Sequence, residues 1–327
     1  LFSDTCVNEW GVTVTSDGCP SREDRPKITD GGIGWTLRRL IAQRARSARE
    51  GVLLAGRLVE RFGYVASGRT YIVADPNEGW LFCAVQGKHW LARRVPDNEV
   101  AMVANTYTIR QVDLADEDNV LASKDIVTYA IERGWYDPQK DGPFDFAAVY
   151  ADPASASHPN NAGRQWAGLR YVASREIAPG FDLPFSVIPK RKLGVTDIME
   201  ILRHDEPNQP ESSPASGFGC ALCSGATQTS FVAQLRRELP LDTGLVYWVC
   251  LAEPRTSVYL PFHFGITDFP AGFRTQPEQP TSDVYDRKVG APFVPDPREA
   301  FWVFSNFRDK AERQGPALVA AARNRAE

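Results

Sequence analysis

The sequence predicts an α+β fold in which helices cover the faces of antiparallel sheets. Along the chain the predicted elements follow the order strand, helices, strands, loop and helix, strands, helix. A parallel α/β fold would instead alternate strand and helix regularly. Apolar residue types make up 43% of the 327 residues, which is enough for a sizeable buried core, so a globular protein is expected.

The first predicted elements are one strand and two helices. In residues 8–15 valines alternate with threonines after a turn signal, which is the pattern of a half-buried strand. Across residues 34–62 apolar side chains recur at helical spacing, with arginines on the opposite side. We expect two helices here, separated by a break near Gly51.

A group of strands follows these helices. Residues 71–74 and 79–85 predict two strands joined by a turn at residues 75–78, whose sequence is Asp-Pro-Asn-Glu. Residues 89–94 and 100–104 continue the strand pattern. These segments together predict a multi-stranded antiparallel sheet.

Three further helices are predicted at residues 125–132, 195–202 and 299–327. Asp125 and Thr196 are suited to cap the first two of them through side-chain oxygens. Residues 164–172 have a mixed pattern that indicates no single element.

Strand patterns return at residues 229–235, 244–252 and 257–264. Before them, residues 206–219 are rich in proline, serine and glycine and predict a mobile loop. No internal repeat divides the sequence. We therefore predict one domain over residues 1–327 with this loop inside it.

Charge and hydropathy exclude two classes of partner. The 37 basic and 41 acidic residues are spread without blocks and give a net charge of -4, so no basic face is available for nucleic acid. No apolar run approaches the roughly 18 to 20 residues that cross a bilayer, so no membrane partner is expected. The sequence predicts a soluble protein, with a cytoplasmic location slightly favoured. Secretion and homo-oligomer formation stay open.

Metal and serine chemistry are weakly indicated. Cys220 and Cys223 form one CxxC motif without a second, which is half of a zinc site. The four histidines form no HExxH motif, and no GxSxG motif accompanies them. The glycines at residues 31–34 are interpreted as an entry turn of the next helix and not as an anion site. We expect no metal and no cofactor.

Four blocks occur together that no general fold rule requires: ADPNEGW, GKHW, VANTYTIR and TSVYLPF. Longer segments accompany them, among them NEWGVTVTSDGCPSRE, GGIGWTLRRLIAQRARSAREGV and LPFSVIPKRKLGVTDIMEILR. In order and through nearly the whole chain, these segments resemble the N-terminal-nucleophile (Ntn) cysteine dipeptidases typified by lactobacillar dipeptidase and related to the secernins.

The resemblance implies an αββα sandwich of two antiparallel sheets between layers of helices, and hydrolysis of an amide bond in a short peptide. In this family a cysteine at the mature N-terminus, exposed by autoprocessing, attacks the carbonyl and forms a thioester acyl-enzyme. The α-amine of the same residue is the base. With a pKa of roughly 7.7 to 8, an α-amine can accept the thiol proton near neutral pH without a histidine.

The nucleophile of the family lies upstream of the block that NEWGV matches, and this chain starts at Leu1 just before that block. We therefore expect the catalytic cysteine on an upstream segment, so that the chain lacks the first strand of the domain. Cys6 is the alternative nucleophile and would require cleavage after Thr5. Cys19 and Cys83 are interpreted as small buried apolar residues.

The matching motifs suggest four site residues. Asn105 in VANTYTIR resembles an asparagine that helps to hold the tetrahedral oxyanion through a side-chain N–H. Arg164 in NNAGRQW resembles an arginine near the nucleophile, where a positive charge favours the thiolate. The alternatives are a strand-end turn for Asn105 and a surface position for Arg164. Asn8 and Asp17 flank the strand edge near the expected pocket and are predicted to bind substrate.

Dipeptide hydrolysis is the function that the resemblance favours, with a short peptide as substrate and an upstream chain or segment as partner. One alternative on the same fold is an amidase for N-acyl amino acids or penicillin-like amides. A non-catalytic, secernin-like binding or structural protein is an alternative of another class. The last alternative is a metal or redox protein that uses Cys220 and Cys223.

Overall fold

Residues 5–204, 222–224, 227–273 and 297–326 are described by the computed structural model. Their contacts divide the chain into two units, the first being Leu1–Gly194 with Asp205–Leu222 and Leu235–Arg237, and the second Val195–His204, Cys223–Gln234 and Glu238–Glu327. The loop predicted at residues 206–219 and Cys220 lie outside the described residues. The single domain over residues 1–327 stays a prediction.

The strands of the first unit are β1 (Thr5–Val7), β2 (Thr13–Gly18), β3 (Tyr64–Ala74), β4 (Gly79–Gly87), β5 (Trp90–Arg94), β6 (Val100–Ala101), β7 (Val120–Ala122) and β8 (Ser186–Val187). Six of them form one sheet in the order β1-β2-β3-β4-β5-β7, and its ladders are antiparallel. β6 pairs with β8. The strand expected at residues 100–104 is therefore only two residues long.

The turn and strand predicted in residues 8–15 are confirmed, because a turn separates β1 from β2 and the strand begins at Thr13. Gly11 in this turn has a φ of 77°, a conformation that glycine adopts without a steric penalty. The valine–threonine alternation leads into β2, and both Val12, just before the strand, and Val14, within it, are fully buried.

The helices of the first unit are α1 (Thr36–Arg44), α2 (Ala48–Phe62), α3 (Ile126–Glu132), α4 (Phe146–Tyr150), α5 (Pro153–Ala156) and α6 (Pro159–Val172). The break between the first two lies at residues 45–47 and not at Gly51. Ser47 caps α2 by accepting a hydrogen bond from the Glu50 N–H. Gly51 instead allows a close approach of α1, since a Cβ there would lie 2.8 Å from Cγ2 of Ile41.

β4 shows that both faces of the six-stranded sheet are covered. Alternate side chains of a strand point to opposite faces. One set joins an apolar cluster with α1 and α2, and the other joins a cluster with α3 and α4. The two sets are Trp80, Phe82 and Ala84, and Leu81, Cys83 and Val85. Burial on both faces explains the nearly continuous apolar run of β4.

The turn between β3 and β4 confirms the predicted hairpin and shows how it is fixed. Oδ1 of Asp75 accepts hydrogen bonds from the backbone N–H groups of Asn77 and Glu78, at 2.7 and 3.1 Å. Oδ2 accepts one from the N–H of Ala48 at 2.7 Å. One buried carboxylate therefore closes the turn and holds the first turn of α2 beside it.

Two predictions for the following helices were wrong. Residues 164–172, expected to be mixed, lie in α6. The side chain of Asp125 makes no capping bond to α3, because its carboxylate contacts Nε2 of His89 at 3.2 Å instead. His89 itself is buried and stacks on Tyr129 with the ring centroids 3.9 Å apart.

The second unit contains α7 (Val195–Arg203), β9 (Thr229–Leu235), α8 (Leu241–Gly244), β10 (Leu245–Leu251), β11 (Tyr259–His263), α9 (Ala300–Gln314) and α10 (Pro316–Ala326). Its sheet has the order β11-β10-β9, and β10 and β11 are antiparallel. Since α7 begins at Val195, Thr196 lies inside the helix and not at its cap. A small core is formed by Met199, Val232, Cys250 and Tyr259.

Mixed helices and antiparallel sheets confirm the predicted α+β class. Within the described ranges, no helix has the length and apolar character that crossing a membrane requires.

Candidate active site

Asn105 lies four residues after β6 in a left-handed backbone conformation, with a φ of 50°. This conformation is uncommon for residues other than glycine and is best tolerated by asparagine and aspartate. Asp17, in β2, holds it on two sides. The Asn105 backbone N–H donates to Oδ2 of Asp17 at 2.6 Å, and Nδ2 donates to Oδ1 at 2.7 Å. The carboxylate therefore fixes both the backbone and the amide of Asn105.

Arg164 contacts the same asparagine from α6. Its Nη2 donates to Oδ1 of Asn105 at 2.7 Å and to Oδ1 of Asn161 at 3.0 Å. Residues three apart share a helix face, which is why Asn161 and Arg164 point to one place. The guanidinium also sets the orientation of the Asn105 amide, because only its oxygen can accept from arginine.

The backbone carbonyl of Asn105 is held as well. It accepts a hydrogen bond from the Ser155 hydroxyl at 2.6 Å and one from Nδ2 of Asn161 at 3.3 Å. We call the five residues Asp17, Asn105, Ser155, Asn161 and Arg164 the Asn105 cluster. Side chains from β2, α5 and α6 thus hold one residue in a strained conformation, and such strain is concentrated at functional sites.

Both hydrogens of the Asn105 amide are engaged in this structure. One goes to Asp17, and the other goes to the carbonyl of Gly18 at 3.0 Å. A ligand oxygen that takes a hydrogen bond from Nδ2 must therefore replace one acceptor. The neutral Gly18 carbonyl is the weaker acceptor of the two, since hydrogen bonds to a carboxylate are roughly twice as strong.

The sheet brings the start of β1 to the same place. β1 runs antiparallel to β2, with Thr5 opposite Thr15 and Val7 opposite Thr13. The chain therefore enters β1 from the end of the sheet at which β2 finishes. That end carries Asp17, which anchors the Asn105 cluster.

Asn8 is not part of this cluster. Its Oδ1 accepts hydrogen bonds from the N–H groups of Trp10 and Val12, each at 3.0 Å. Its Nδ2 donates to the carbonyls of Ala42 and Ala45, at 2.9 and 2.6 Å. These contacts tie the turn between β1 and β2 to the end of α1. Substrate binding by Asn8 stays a prediction.

Four of the five described cysteines, Cys6, Cys19, Cys83 and Cys223, are poor candidates for a thiolate. Cys6 lies in the middle of β1, and burial raises the pKa of its thiol, although two arginines of α1 oppose the shift. Burial raises the pKa of Cys19 to about 12 and that of Cys83 well above its ordinary value. Burial also raises the pKa of Cys223 to about 12. These four thiols are therefore protonated at neutral pH.

Cys19 and Cys83 are fully buried, which confirms their interpretation as apolar residues. In the part of the chain that the structure describes, no group of three or more histidine, cysteine, aspartate or glutamate side chains is arranged to hold a metal ion.

Sequence patterns did not indicate Ser155 or Asn161 as members of the site. A signal was present in the two helix starts, where Asp152 precedes Pro153 and His158 precedes Pro159. A capping residue followed by proline is typical of a helix N-terminus. A helix that starts at Pro159 places Asn161 and Arg164 on one face.

Comparison with known proteins agrees with the earlier resemblance. The profile of Peptidase family C69 matches residues 21–287. A probable dipeptidase of Latilactobacillus sakei is 29% identical over 290 residues, which cover 84% of this chain and 60% of the relative. A probable dipeptidase of Salmonella dublin is 30% identical over 266 residues, which cover 76% and 58%. A dipeptidase of Bifidobacterium longum is 25% identical over 331 residues, which cover 92% and 61%.

The chain spans about three fifths of the length of these curated relatives. The family profile nevertheless matches well over half of the chain, and the match includes Asn105 and Arg164. The chain belongs to peptidase family C69.

Proposed function

We propose that this chain forms most of the body of a dipeptidase that hydrolyses the amide bond of dipeptides through an N-terminal cysteine on an upstream segment. Family membership and the names of the relatives support the reaction class. The observation that carries the proposal is the strained Asn105, which Asp17 and Arg164 hold at the end of the sheet where β1 enters.

In the proposed reaction the α-amine of the N-terminal cysteine takes the thiol proton. The sulfur attacks the peptide carbonyl, and the C–N bond breaks as the leaving amine takes that proton from the α-ammonium group. The first product is a free amino acid, and the other residue stays on the sulfur as a thioester. A water molecule, deprotonated by the same α-amine, then attacks the thioester and releases the second amino acid while the thiol regains its proton.

Asn105 has the role of oxyanion donor in this proposal. As the carbonyl oxygen becomes an oxyanion it replaces the Gly18 carbonyl as an acceptor of Nδ2, because an anion is the stronger acceptor. Asp17 keeps its own hydrogen bonds and so prevents the amide from turning. A donor that is already fixed before the reaction stabilises the transition state without being reordered.

Arg164 has two effects in the proposal. It holds Oδ1 of Asn105, and its positive charge near the expected nucleophile favours the thiolate over the thiol. Asp17 acts as a positioning residue that reaches the reaction through Asn105. The proposal gives Asn8 no catalytic role, because its side chain makes four hydrogen bonds within its own turn and to the end of α1.

The architecture belongs to the same proposal. We infer the Ntn-hydrolase αββα sandwich. In this arrangement the six-stranded sheet is one of the two sheets, and α1 and α2 form one of the two helix layers. The close packing of α1 and α2 on one face of that sheet supports the outer helix layer, and the second sheet of the sandwich is proposed from the resemblance.

The protein expressed from its complete coding sequence provides the test of the nucleophile. During turnover of a slowly hydrolysed dipeptide, an acid quench followed by denaturing mass analysis is expected to show a chain that begins with cysteine. That chain should also carry the mass of one acyl residue. A sample without an N-terminal cysteine that hydrolyses dipeptides at full rate would contradict the mechanism. Parallel assays with an N-acyl amino acid distinguish a dipeptidase from a general amidase.

A further inference from the structure

A cavity of about 610 Å³ opens in the first unit, between β5, residue 99 before β6, and residues 110–111, 175–178 and 182–186. Its volume is within the range for small-molecule sites, which is roughly 300 to 1,000 Å³. Six of its lining residues are charged, three basic and three acidic: Arg93, Arg110, Arg175, Glu99, Glu176 and Asp182.

This cavity is separate from the Asn105 cluster. In the ladders of the six-stranded sheet, Arg93 of β5 lies in the same row as Thr15 of β2. The two residues are therefore three strands apart, which is about 14 Å, because neighbouring strands are about 4.8 Å apart. None of the five residues of the Asn105 cluster lines the cavity.

Two of the charged lining residues are paired with each other. Nε of Arg110 donates to Oδ2 of Asp145 at 2.8 Å, and Nη2 of Arg110 contacts Oδ1 of Asp182 at 2.8 Å. The charge of Arg110 is thus balanced within the protein. Two arginines and two glutamates of the lining are left to meet a ligand.

Arg93 is half-buried and has no such carboxylate partner. Its Nη1 donates to the carbonyl of Gln111 at 3.5 Å, and its guanidinium carbon lies 4.3 Å from the centre of the Phe185 ring. Across the described ranges, no carboxylate forms an ion pair with it. Burial lowers the pKa of Arg93, although the charges of Glu99 and Asp116 oppose the shift. A bound anion would offset this cost of burying an unpaired charge.

Glu99 places a negative charge near Arg93 without touching it. Its charge acts on the pKa of Arg93, yet the two side chains form no ion pair. Oε2 of Glu99 accepts a hydrogen bond from the Ser186 hydroxyl. Nε and Nη2 of Arg93 and Oε1 of Glu99 have no hydrogen-bond partner among the described residues, and none of these three atoms is enclosed by protein. A ligand in the cavity can therefore reach all three.

We propose that this cavity is a second binding site, which takes the zwitterion of a free α-amino acid, with its carboxylate on Nε and Nη2 of Arg93 and its ammonium group on Glu99. Nε and Nη2 form the parallel pair of donors that matches a carboxylate. A zwitterion suits the lining because the exposed Arg175 and Glu176 add one further charge of each sign. An amino acid is also a product of the proposed reaction, but binding here does not require that reaction.

Calorimetric titration of the complete protein with L-alanine tests this site, because the alanine side chain adds little to the two charges. N-acetyl-L-alanine lacks the ammonium group, and L-alaninamide lacks the carboxylate. We expect each analogue to bind about 10- to 100-fold more weakly than alanine, as for the loss of a hydrogen bond to a charged group. Arg93→Gln and Glu99→Gln should each weaken the binding of alanine by the same factor.

The control is Arg57→Gln, which removes an exposed arginine of α2 and should leave the Kd for alanine unchanged. Glu99→Gln keeps an oxygen that can accept from Ser186, so we expect it to fold, and thermal unfolding of each variant checks this. Arg93→Gln should retain kcat/KM for Ala-Ala within about twofold, well below the change that a lost catalytic contact produces.

Four results would overturn the inference. The first is an alanine affinity that is absent at millimolar concentration or unchanged in folded Arg93→Gln. The second is N-acetyl-L-alanine or inorganic phosphate binding as tightly as alanine, which would indicate a simple anion site. The third is alanine affinity that is unchanged in Glu99→Gln. The fourth is a loss of kcat/KM in Arg93→Gln that matches the loss of alanine binding, which would assign Arg93 to the active site.

Failure of the proposed function is distinguishable from failure of this inference. The titrations measure binding alone, so they decide on the second site even if no dipeptide is hydrolysed. Alanine that binds at the active site would still bind to Arg93→Gln, because Arg93 lies outside the Asn105 cluster.

Discussion

Two asparagines, Asn8 and Asn105, are both held by several hydrogen bonds in the first unit, yet their surroundings differ. The partners of Asn8 are backbone groups of its own turn and of α1, and its side chain is enclosed by them. The partners of Asn105 include the side chains of Asp17, Ser155, Asn161 and Arg164. Its backbone is also in the left-handed region.

In the proposed mechanism, the kind of hydrogen-bond partner and not the number of hydrogen bonds separates the two asparagines. Asn8 has no donor that it can redirect without opening a buried turn. Asn105 can exchange one neutral acceptor, the Gly18 carbonyl, while Asp17 and Arg164 keep it in place.

The largest expected effect is on catalysis by Asn105 variants. Asn105→Ala and Asn105→Gly should each lower kcat for Ala-Ala by about 10²–10³-fold, the usual loss when one oxyanion donor is removed. The glycine variant relieves the left-handed backbone, so its loss of rate cannot come from strain. The control is Asn119→Ala, an exposed asparagine whose side chain donates to the carboxylate of Asp116. Equal activity of Asn105→Gly and Asn119→Ala would contradict the catalytic role proposed for Asn105.

Asn8→Ala should affect stability and not the rate. Because four hydrogen bonds of a buried turn are lost, we expect the free energy of unfolding to fall by about 2–4 kcal/mol. Denaturant unfolding gives this value, and kcat per folded molecule should match the native protein within about twofold, well below the change that a lost catalytic contact produces. A variant of native stability with a greatly reduced kcat would instead assign Asn8 to the site.

Arg164 should show a smaller effect with two separable parts. Arg164→Ala is expected to lower kcat/KM by about 10- to 100-fold, as for the loss of a hydrogen bond from a charged group. If its charge favours the thiolate, the acidic limb of the pH–rate profile should also move to higher pH in this variant. Arg164→Lys retains the charge without the planar fork, so it should restore the pH profile more than the rate.

The control for these variants is Arg57→Ala, an exposed arginine of α2. A pH profile that stays unchanged in Arg164→Ala would leave Arg164 as a positioning residue only.

The smallest expected effect concerns Cys19, which follows Gly18 in the chain. Burial raises the pKa of Cys19 to about 12, so the folded state keeps this thiol protonated while the unfolded chain loses its proton near pH 8.5, the ordinary thiol pKa. The resulting stability is fully present below about pH 8.5 and declines as the pH rises towards the folded pKa.

Cys19→Ala removes this contribution. Between pH 9 and 10 the free energy of unfolding of the native protein should fall by about 1 kcal/mol more than that of the variant. Urea unfolding at the two pH values gives the difference. Parallel declines would show that water reaches Cys19, and the rigid support of Gly18 beside Asn105 would then be in doubt.

Local patterns predicted the elements whose cause is local. The hairpin of β3 and β4 follows from the Asp75 turn, and α2 follows from its apolar spacing and the Ser47 cap. The break between α1 and α2 was misplaced because Gly51 is a contact residue for Ile41, and a close approach between helices leaves no sign in the sequence.

A tertiary contact explains the wrong prediction of a cap at Asp125. Asp125 is a good capping residue by type, but its carboxylate contacts His89, which lies between β4 and β5. For the site, the resemblance pointed to Asn105 and Arg164, and the structure brings both together with Asp17. The contributions of Ser155 and Asn161 could not be predicted without α6, whose start at Pro159 went unrecognised.

The proposed oxyanion role of Asn105 is tested most directly with a dipeptide aldehyde, which forms a tetrahedral adduct with the nucleophile and so carries the oxyanion. The inhibition constant of the aldehyde and the KM of the matching dipeptide are measured for the complete native protein and for Asn105→Gly. If Asn105 holds the oxyanion, the variant should bind the aldehyde about 10²-fold more weakly, with KM changed by less than about threefold. Equal weakening of the aldehyde and the substrate, or no weakening of either, would contradict the proposed role.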